Sequence, residues 1–469
     1  MRWLDQLADN VDELGQAGDP VHGGRSGQTT VIELGELAPG AAPEPETARP
    51  LIRRRRDIRR YGLAAVAVLC VLTVTGSARP EPRSLATLWS MPYRTDQWTL
   101  TDDALYLLEP SARSRVTRYD AASGRLQWST HLPDFAGWMS TDAAGLLLVP
   151  TVKRVENVVD DAGNAYQLEA VQDTVALDVA TGTVRWRQRG EVALADDQTV
   201  LLTRWDYQAA RLTEMRLIRS SDGTVLWTLA PDPPISSWTT VAADRLVTVT
   251  ADGELQVRRF ADGGLVTTGR VPWVPDPKRD DDLAYLMGAH ATLYVLRAGS
   301  GQQEVTAYDP DTLAKLWNRR FRAGYGMFDC GRVICVGEEA GGVGGRDPRT
   351  GRLLWQGEGW DYARPLGDGR LLTEGREGGR AALVDEATGR LITDLGAGAI
   401  VLDAERGQIL MIGPVREPPW GLKVSQLDRT GELILRGSIG PVVNHGCQLS
   451  GGRLACGPAD GRLTVRDVG

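Results

Sequence analysis

The chain has 469 residues, of which 42% are hydrophobic and 24% are charged, and its formal net charge is −8. This length suits one large domain with appended segments. The acidic balance argues against a nucleic-acid-binding surface, which would be basic.

Residues 1–52 read as an acidic tail. The first 50 residues hold nine Asp and Glu against three Arg, with Gly and Pro scattered through their second half. Such a composition cannot bury a core, so we predict a mostly disordered cytoplasmic segment. Apolar residues recur at helical spacing from Trp3 to Leu14, and 31–37 is a short apolar patch. Either docking on a cytoplasmic partner or transient structure in a linker explains these two pieces.

An Arg-rich flank at 53–60 carries six Arg, and the stretch 61–78 that follows has no charge over 18 residues. As a helix this stretch spans roughly 27 Å, enough to cross a bilayer. The Arg cluster holds its N-terminal end in the cytoplasm. We therefore predict a single-pass transmembrane helix in the cell membrane at 61–78, a linker at 79–83 and an extracytoplasmic domain at 84–469. A cleavable signal peptide is the alternative, and the long segment before the apolar stretch disfavours it.

A short phrase recurs through the domain. Its fullest copies begin with Tyr, Leu or Arg and an Asp, pass through a turn that carries Thr or Ser, and end on Trp, at 119–128, 177–186, 308–317 and 346–355. Looser copies end at Trp227, Thr267, Thr393 and Leu435, and 85–89 is a lone closing fragment. Successive end points are 38 to 58 residues apart, the period of a propeller blade. Each copy indicates a strand, a tight turn, and a strand that places a large anchor between neighbouring sheets.

The Leu-Asp pair and the Ala-Thr-Gly-x-x-x-Trp run within 177–186 resemble the repeat of the PQQ-binding-like (quinoprotein-type, BamB-like) β-propellers. The resemblance extends from about residue 84 to the C-terminus. One four-stranded unit cannot cover both faces of its sheet, so the units must stack, and a closed ring removes the exposed edges. The sequence thus predicts an all-β fold, a closed β-propeller of four-stranded blades.

The two ends of the domain complement each other. The stretch 447–468 supplies strands without a closing phrase, and 85–89 is a closing phrase without strands. We predict that they form one composite blade, which is how propellers lock their ring. Strict counting then gives nine blades. Eight is preferred, because the propellers that this repeat resembles more often have eight, and nine is left open.

Four cysteines lie in the domain, and Cys330 and Cys447 follow their phrases by 13 and 12 residues, at the same phase of the repeat. Each is followed by a partner across a short turn. We predict two disulfides within blade hairpins, Cys330–Cys335 and Cys447–Cys456. They would require an oxidising compartment, which agrees with the predicted topology. A four-cysteine metal site is disfavoured, since its ligands would come from two distant blades.

The sequence offers little for catalysis. It has no nucleophile-elbow, zinc-protease, phosphate-loop or haem-attachment motif, and its four His are scattered. The resemblance raises the question of a quinone cofactor, which quinoproteins hold beneath an adjacent Cys-Cys pair with calcium-binding carboxylates and a catalytic Asp. This chain has no adjacent cysteines. We therefore predict no cofactor, no metal and no catalytic residue.

The extra length of the long repeats falls on one face of the predicted ring, where second-to-third-strand loops and blade-to-blade links lie. The added segments are 152–172, 205–213, 272–282, 298–303 and 413–421. Loops on a rigid scaffold commonly bind partners, and exposed aromatic residues carry interface energy. The candidate anchors are Trp205, Tyr207, Trp273 and Trp420. The tryptophans of the closing phrases, and Trp98, Trp138 and Trp238, are assigned to the core.

Two functions compete at this stage. The preferred one is a membrane-anchored, non-enzymatic propeller that binds an envelope protein or polymer. The alternative is a membrane-tethered, quinoprotein-like oxidoreductase whose site lies in the propeller channel.

Overall fold

The computed structural model describes residues 84–469 except 93–94, 96, 160–164, 207–210, 274–282, 300–301, 323–325, 338–341, 376–378, 404, 416–420, 441 and 459–460. The predicted tail, Arg-rich flank, transmembrane helix and linker, residues 1–83, lie outside the described residues. Within the described ranges, no helix has the length and apolar character needed to cross a membrane.

The described chain forms 36 strands and no helix. The first is β1 (Thr87–Pro92). It is followed by β2 (Trp98–Leu100), β3 (Ala104–Glu109), β4 (Arg115–Asp120), β5 (Leu126–His131), β6 (Ser140–Ala143), β7 (Leu146–Val159), β8 (Ala165–Asp178), β9 (Val184–Arg189), β10 (Glu191–Ala195), β11 (Thr199–Asp206), β12 (Arg211–Arg219), β13 (Val225–Leu229), β14 (Ile235–Val241), β15 (Arg245–Thr250), β16 (Glu254–Arg259) and β17 (Leu265–Arg270). The rest are β18 (Leu283–Ala289), β19 (Thr292–Gly299), β20 (Gln302–Tyr308), β21 (Lys315–Phe321), β22 (Met327–Cys330), β23 (Val333–Gly337), β24 (Val343–Arg346), β25 (Leu353–Gly357), β26 (Tyr362–Pro365), β27 (Arg370–Glu374), β28 (Arg380–Asp385), β29 (Leu391–Ala397), β30 (Ala399–Asp403), β31 (Gln408–Pro414), β32 (Leu422–Leu427), β33 (Leu433–Ile439), β34 (Val442–Ser450), β35 (Arg453–Pro458) and β36 (Arg462–Asp467).

Consecutive strands pair antiparallel in sets of four. Seven sets are separate four-stranded sheets. The sets β10–β13 and β14–β17 are joined into one eight-stranded sheet by a single pairing, Leu212 with Ile235. The described residues therefore contain nine sets of four strands. The number of blades, for which the sequence favours eight and leaves nine open, stays a prediction.

One set is built from both ends of the domain, as predicted. β1 pairs with β36, with Trp89 opposite Val465, and the strand order is β1-β36-β35-β34. Gln448 joins this set to the next, because its side chain accepts a hydrogen bond from the amide of Leu100 (2.8 Å) and donates one to the carbonyl of Trp98 (3.0 Å). On the other side, the amide of Leu85 donates to the carbonyl of Ser438 in β33 (3.0 Å).

The recurring phrase forms the turn between the third and fourth strands of a set. In the turn after β8, Oδ1 of Asp178 accepts hydrogen bonds from the amide (2.9 Å) and the hydroxyl (3.0 Å) of Thr181. Gly182 then takes a left-handed conformation with φ of 70°, which costs glycine little. The hydroxyl of Thr181 lowers the pKa of Asp178, so this aspartate caps its own turn.

The tryptophan that ends the phrase joins one set to the next. Its indole Nε1 donates a hydrogen bond of 2.7–2.9 Å to a backbone carbonyl in the following set's phrase turn. The six pairs are Trp89–Ala121, Trp128–Val179, Trp186–Ser220, Trp227–Phe260, Trp317–Pro348 and Trp355–Glu386. The indole also lies against the glycine of that turn. These tryptophans are therefore packing residues, as predicted.

The hydrophobic core lies between successive sheets. Tyr106 and Leu108 of β3, for example, pack with Leu147 and Val149 of β7. Burying a side chain of this size contributes about 1.5–3 kcal/mol. Since a sheet has two faces, each set must contact a set on both sides to bury its apolar residues.

Both predicted disulfides are present. The sulfurs of Cys330 and Cys335 lie 2.03 Å apart and join β22 to β23. Those of Cys447 and Cys456 lie 2.14 Å apart and join β34 to β35 in the composite set. In both of these sets the disulfide links the first strand to the second. This agrees with the shared phase of Cys330 and Cys447 in the repeat.

Candidate binding face

The antiparallel order of each set separates two kinds of connection. The turns between first and second strands and between third and fourth strands lie at one end, which we call the turn face. The hairpins between second and third strands and the links between sets lie at the other end, the hairpin face. Contacts between sets support a shared turn face: Asp102, in the turn after β2, accepts hydrogen bonds from Ser450 (2.7 Å) and Arg406 (2.8 Å) in the first turns of two other sets.

The longest feature of the hairpin face is a two-stranded ribbon. The sequence predicted an inserted loop at 152–172, and the structure shows that this segment continues the strands β7 and β8, each of 14 residues. By comparison β3 and β4 have six residues each. Pairing along the ribbon continues as far as Val159 opposite Ala165.

The neighbouring hairpin, β11 and β12, carries the candidate anchor Trp205. Its indole is half-buried and packs against the cluster that contains Leu212 and Met215. Trp205 lies beside a register shift between Arg204 and Trp205. Part of the Trp205 ring is therefore buried within its own set, and only the remaining part is accessible to a partner.

An ion-pair cluster that the sequence analysis missed lies on the same hairpin. Glu214 accepts hydrogen bonds from Arg204 (2.9 Å) and from Arg216. Burial alone would raise the pKa of Glu214, but the two guanidinium groups outweigh it and lower that pKa. Alternation along β11 and β12 could have indicated these pairs, because Arg204 and Glu214 are directly opposite in the register.

Trp273 was predicted to be an exposed anchor, and this prediction is wrong. Its side chain is only 4% exposed and packs with Val271 and Leu286. The physical reason is the short hairpin of its own set. The amide of Val271 donates to the carbonyl of Gly253 (2.9 Å), so the link folds down over that hairpin and buries the indole. The other two candidate anchors, Tyr207 and Trp420, lie outside the described residues.

A buried polar contact closes part of the hairpin face between two sets. The hydroxyl of Tyr285 accepts hydrogen bonds from the side chain of Gln303 (2.9 Å) and the amide of Met327 (3.3 Å). Burial raises the pKa of Tyr285, which keeps the hydroxyl protonated. Gln303 is 1% exposed, and its Oε1 has no hydrogen-bond partner among the described residues.

The ionisable groups of the turn face are mostly used in contacts within and between sets. His290 lies 3.3 Å from the carbonyl of Val333 and 3.4 Å from Oδ1 of Asp329, both in the next set. The hydrogen bond to Asp329 raises the pKa of His290. The carboxylate of Glu386 accepts from the amide of Arg332 in that same turn. The turn between β22 and β23 thus contacts His290 of the preceding set and Glu386 of the following set.

Within the described residues no group of three or more His, Cys, Asp and Glu side chains is placed to hold a metal ion. The acidic loop at 276–282, whose clustered carboxylates could bind calcium but more commonly form a solvated turn, lies outside the described residues. The described arrangement is therefore one of contacts between strands and sets, with a projecting ribbon and a charged hairpin on one face.

A sequence model of the family described as outer membrane protein assembly factor BamB matches residues 82–194, 112–268 and 173–390 of the chain. The chain belongs to this family. It is a BamB-like β-propeller repeat protein, as the resemblance of the phrase predicted. No curated protein matches it.

Solved structures similar to this BamB-family chain include BamB from Moraxella catarrhalis, at 17% identity, with 82% of this chain and 99% of that chain covered and a TM-score of 0.41. The computationally designed Ika8 protein matches at 13% identity, with 82% and 99% covered and a TM-score of 0.40. The dihydro-heme d1 dehydrogenase NirN matches at 15% identity, with 77% and 78% covered and a TM-score of 0.45.

Proposed function

We propose that this chain is a membrane-anchored, extracytoplasmic β-propeller that binds an envelope protein or polymer and catalyses no reaction. The observation that carries the proposal is the one-sided distribution of extra chain. The β7–β8 ribbon and the β11–β12 hairpin both extend the hairpin face, while the turn face is occupied by contacts between sets. Membership of a family named for an assembly factor favours a protein as the partner.

We further infer that the nine sets are nine blades of one closed ring. The composite set supports this, because it takes a strand from each end of the domain and contacts both β33 and the set that begins with β2. Closure would also remove the exposed sheet edges that an open array leaves at its two ends.

The topology rests on the Arg-rich flank at 53–60 and the uncharged stretch at 61–78. The two disulfides favour the same side for the propeller, since such bonds persist in oxidising compartments. Fusion of alkaline phosphatase after Gly469 should give an active enzyme in cells, whereas a green fluorescent protein fused there through the same export route should stay dark. An inactive phosphatase with a fluorescent counterpart would place the propeller in the cytoplasm and contradict this part of the proposal.

The binding face is tested with a photo-crosslinking amino acid introduced at single positions in the full-length chain. Thr213 is exposed on the charged hairpin, and Ala122 and Ala387 are exposed in turns of the opposite face. We expect position 213 to capture a discrete envelope component in cells and positions 122 and 387 to capture none. Equal capture from both faces, or capture only from the turn face, would refute the assignment of the face.

Spectroscopy of the purified full-length chain distinguishes the binding module from the quinoprotein-like oxidoreductase. A quinone-like absorbance that persists through purification and dialysis, together with electron transfer to an artificial acceptor, would establish the oxidoreductase. We expect the ultraviolet and visible spectrum of the purified protein to show aromatic absorbance alone.

A further inference from the structure

The last strand of the set β18–β21 is open along one edge. β21 pairs with β20, from Gln303 opposite Phe321 to Tyr308 opposite Lys315, and lies at the end of its sheet. Among the described residues, its backbone forms hydrogen bonds with no other strand. Its second edge therefore presents N–H and C=O groups with which an added strand can pair.

The side chains of β21 make this edge basic. The strand carries Lys315, Arg319 and Arg320, and Arg322 follows directly. All four residues are exposed, and the stretch that they span contains no acidic residue. Within the described part of the chain, Arg320 alone among the four forms an ion pair, at 3.9 Å from Glu304. This edge is therefore positively charged, on a chain whose net charge is −8.

The basic groups lie on both faces of the sheet. On one face, Glu304 of β20 is directly opposite Arg297 of β19 and Arg320 of β21, at 3.8 and 3.9 Å. The side chain of Glu304 is 29% exposed and that of Arg320 is 71% exposed. Arg319 projects from the other face, because successive side chains of a strand alternate. Its Cγ would lie 3.0 Å from a Cβ at Gly351, so its stem packs against the phrase turn of the next set. An added strand would therefore meet guanidinium groups on both of its faces.

The comparable strand β9 shows that arginine content alone does not make such an edge. It also carries three arginines, but Arg185 and Arg187 form ion pairs of 2.5–2.9 Å with neighbouring aspartates. The third, Arg189, stands three residues after the phrase tryptophan, as Arg320 does in β21. The charge of β9 is thus largely neutralised by its own surroundings, whereas most of the charge of β21 is available to a partner.

We propose that β21 binds an extended acidic segment of another protein as an added fifth strand of its sheet. Main-chain hydrogen bonds hold the segment on the open edge, and its carboxylates pair with Arg319 on one face and Arg320 on the other. A polyanion without peptide groups would neutralise the arginines but would leave the backbone edge unpaired. The inference goes beyond the proposed function, because it concerns a different surface and does not depend on the membrane anchor.

Binding of synthetic peptides to the purified full-length chain, in detergent and at low salt, tests the proposal by fluorescence anisotropy. The probe is a labelled peptide of about eight alternating Glu and Thr residues, which is within the usual length of a strand. A second peptide of the same charge has Pro in place of each Thr, which removes every second main-chain N–H. We expect the first peptide to bind and the second to bind at least about tenfold more weakly, because only the first can pair along the edge.

Charge variants locate the contact on the protein. Arg319→Glu with Arg320→Glu should weaken binding of the Glu-Thr peptide at least about tenfold, because like charges then meet on both faces. Arg319→Gln with Arg320→Gln adds no repulsion and should weaken it less. Arg189→Glu is the matched control, since it reverses an exposed arginine at the corresponding position of β9, and it should leave binding unchanged. Cooperative urea denaturation of each variant verifies that it is folded.

Absence of peptide binding, or a loss in Arg189→Glu as large as that in the charge-reversed β21 variant, overturns the site. Equal binding of the two peptides shows that charge alone attracts them and overturns the added strand. Binding of polyphosphate but of neither peptide overturns the proposal in favour of an anionic polymer. None of these outcomes bears on cross-linking at Thr213, which lies in another set, so a failure here is distinguishable from a failure of the proposed function.

Discussion

Leu313 packs against Gly269 so closely that a Cβ at position 269 would lie 2.7 Å from Leu313 Cδ1. At this junction between two sets, the large and small residues are exchanged relative to the tryptophan junctions. In each of those six a tryptophan at the end of one set meets a glycine in the next set's turn. Here the outer strand β17 has Thr267 at the tryptophan position, and the turn has Leu313 at the glycine position. At this junction the large side chain is in the turn and the small one is in the strand. Leu313 adopts a left-handed conformation with φ of 55°.

Restoring the usual pair should reveal this exchange. Thr267→Trp alone adds an indole to a junction already filled by Leu313, and Leu313→Gly alone leaves a cavity, so each should lower the free energy of unfolding by about 1–3 kcal/mol. The double variant should lose less than the sum by about 1–2 kcal/mol, because the two residues share one junction. Urea denaturation of the four proteins measures the coupling, and strict additivity would show that the two positions do not compensate.

Glycine at the tryptophan junctions should be required by contact as well as by conformation. Gly351 has φ of 67°, and a Cβ there would lie 2.9 Å from the ring of Trp317. Gly407 has φ of 61° and open space around the same position. Gly407→Ala should therefore cost about 1 kcal/mol of left-handed strain, and Gly351→Ala should cost at least about 2 kcal/mol because the junction must also open. Similar denaturation midpoints for the two variants would contradict the contact argument.

The composite set should depend on its disulfide. Cys447→Ala with Cys456→Ala removes a bridge that closes a short loop, for which the loss is about 2–3 kcal/mol. Denaturation of the purified variant beside the wild type measures the loss, and Cys70→Ser serves as a control that leaves both native bridges intact. A variant as stable as the wild type would show that strand pairing between β34 and β35 suffices by itself.

His290 should make stability depend on pH near neutrality. The hydrogen bond to Asp329 raises its folded-state pKa above the unfolded value of about 6.5. A raised histidine pKa stabilises the fold fully below the unfolded value, and that contribution is lost as the pH rises through the folded value. The difference in stability between the wild type and His290→Gln should therefore shrink from about pH 6 to about pH 8.

Urea denaturation over that pH range follows the difference, and Asp329→Asn should abolish most of its pH dependence. Val333 contributes only a carbonyl, and the carboxylate of Glu386, in the following set, is the other acidic group that acts on the imidazole. A difference that widens as the pH rises would contradict the ion pair.

The repeat, and with it the fold class, could be predicted from the sequence alone, because each phrase carries its own turn, from the aspartate that caps it to the glycine that reverses the chain. Both cysteine pairs could also be predicted, since their phase in the repeat places them on adjacent strands. The composite set followed in the same way from a closing fragment at one end and strands without one at the other.

Which residues of the hairpin face are exposed could not be predicted in this way, because exposure depends on the packing of the sets. Trp273 is buried because the hairpin of its own set, at Gly253, is short. No local pattern around residue 273 indicates the length of a hairpin 20 residues away in the chain. The segment 152–172 forms a ribbon because β7 and β8 stay paired beyond the rest of their set, through two register shifts between Thr151 and Arg154. Such pairing is a property of residues that are distant in the sequence. Periodicity and turn chemistry act locally, whereas burial depends on what the adjacent strand or set presents at the same level.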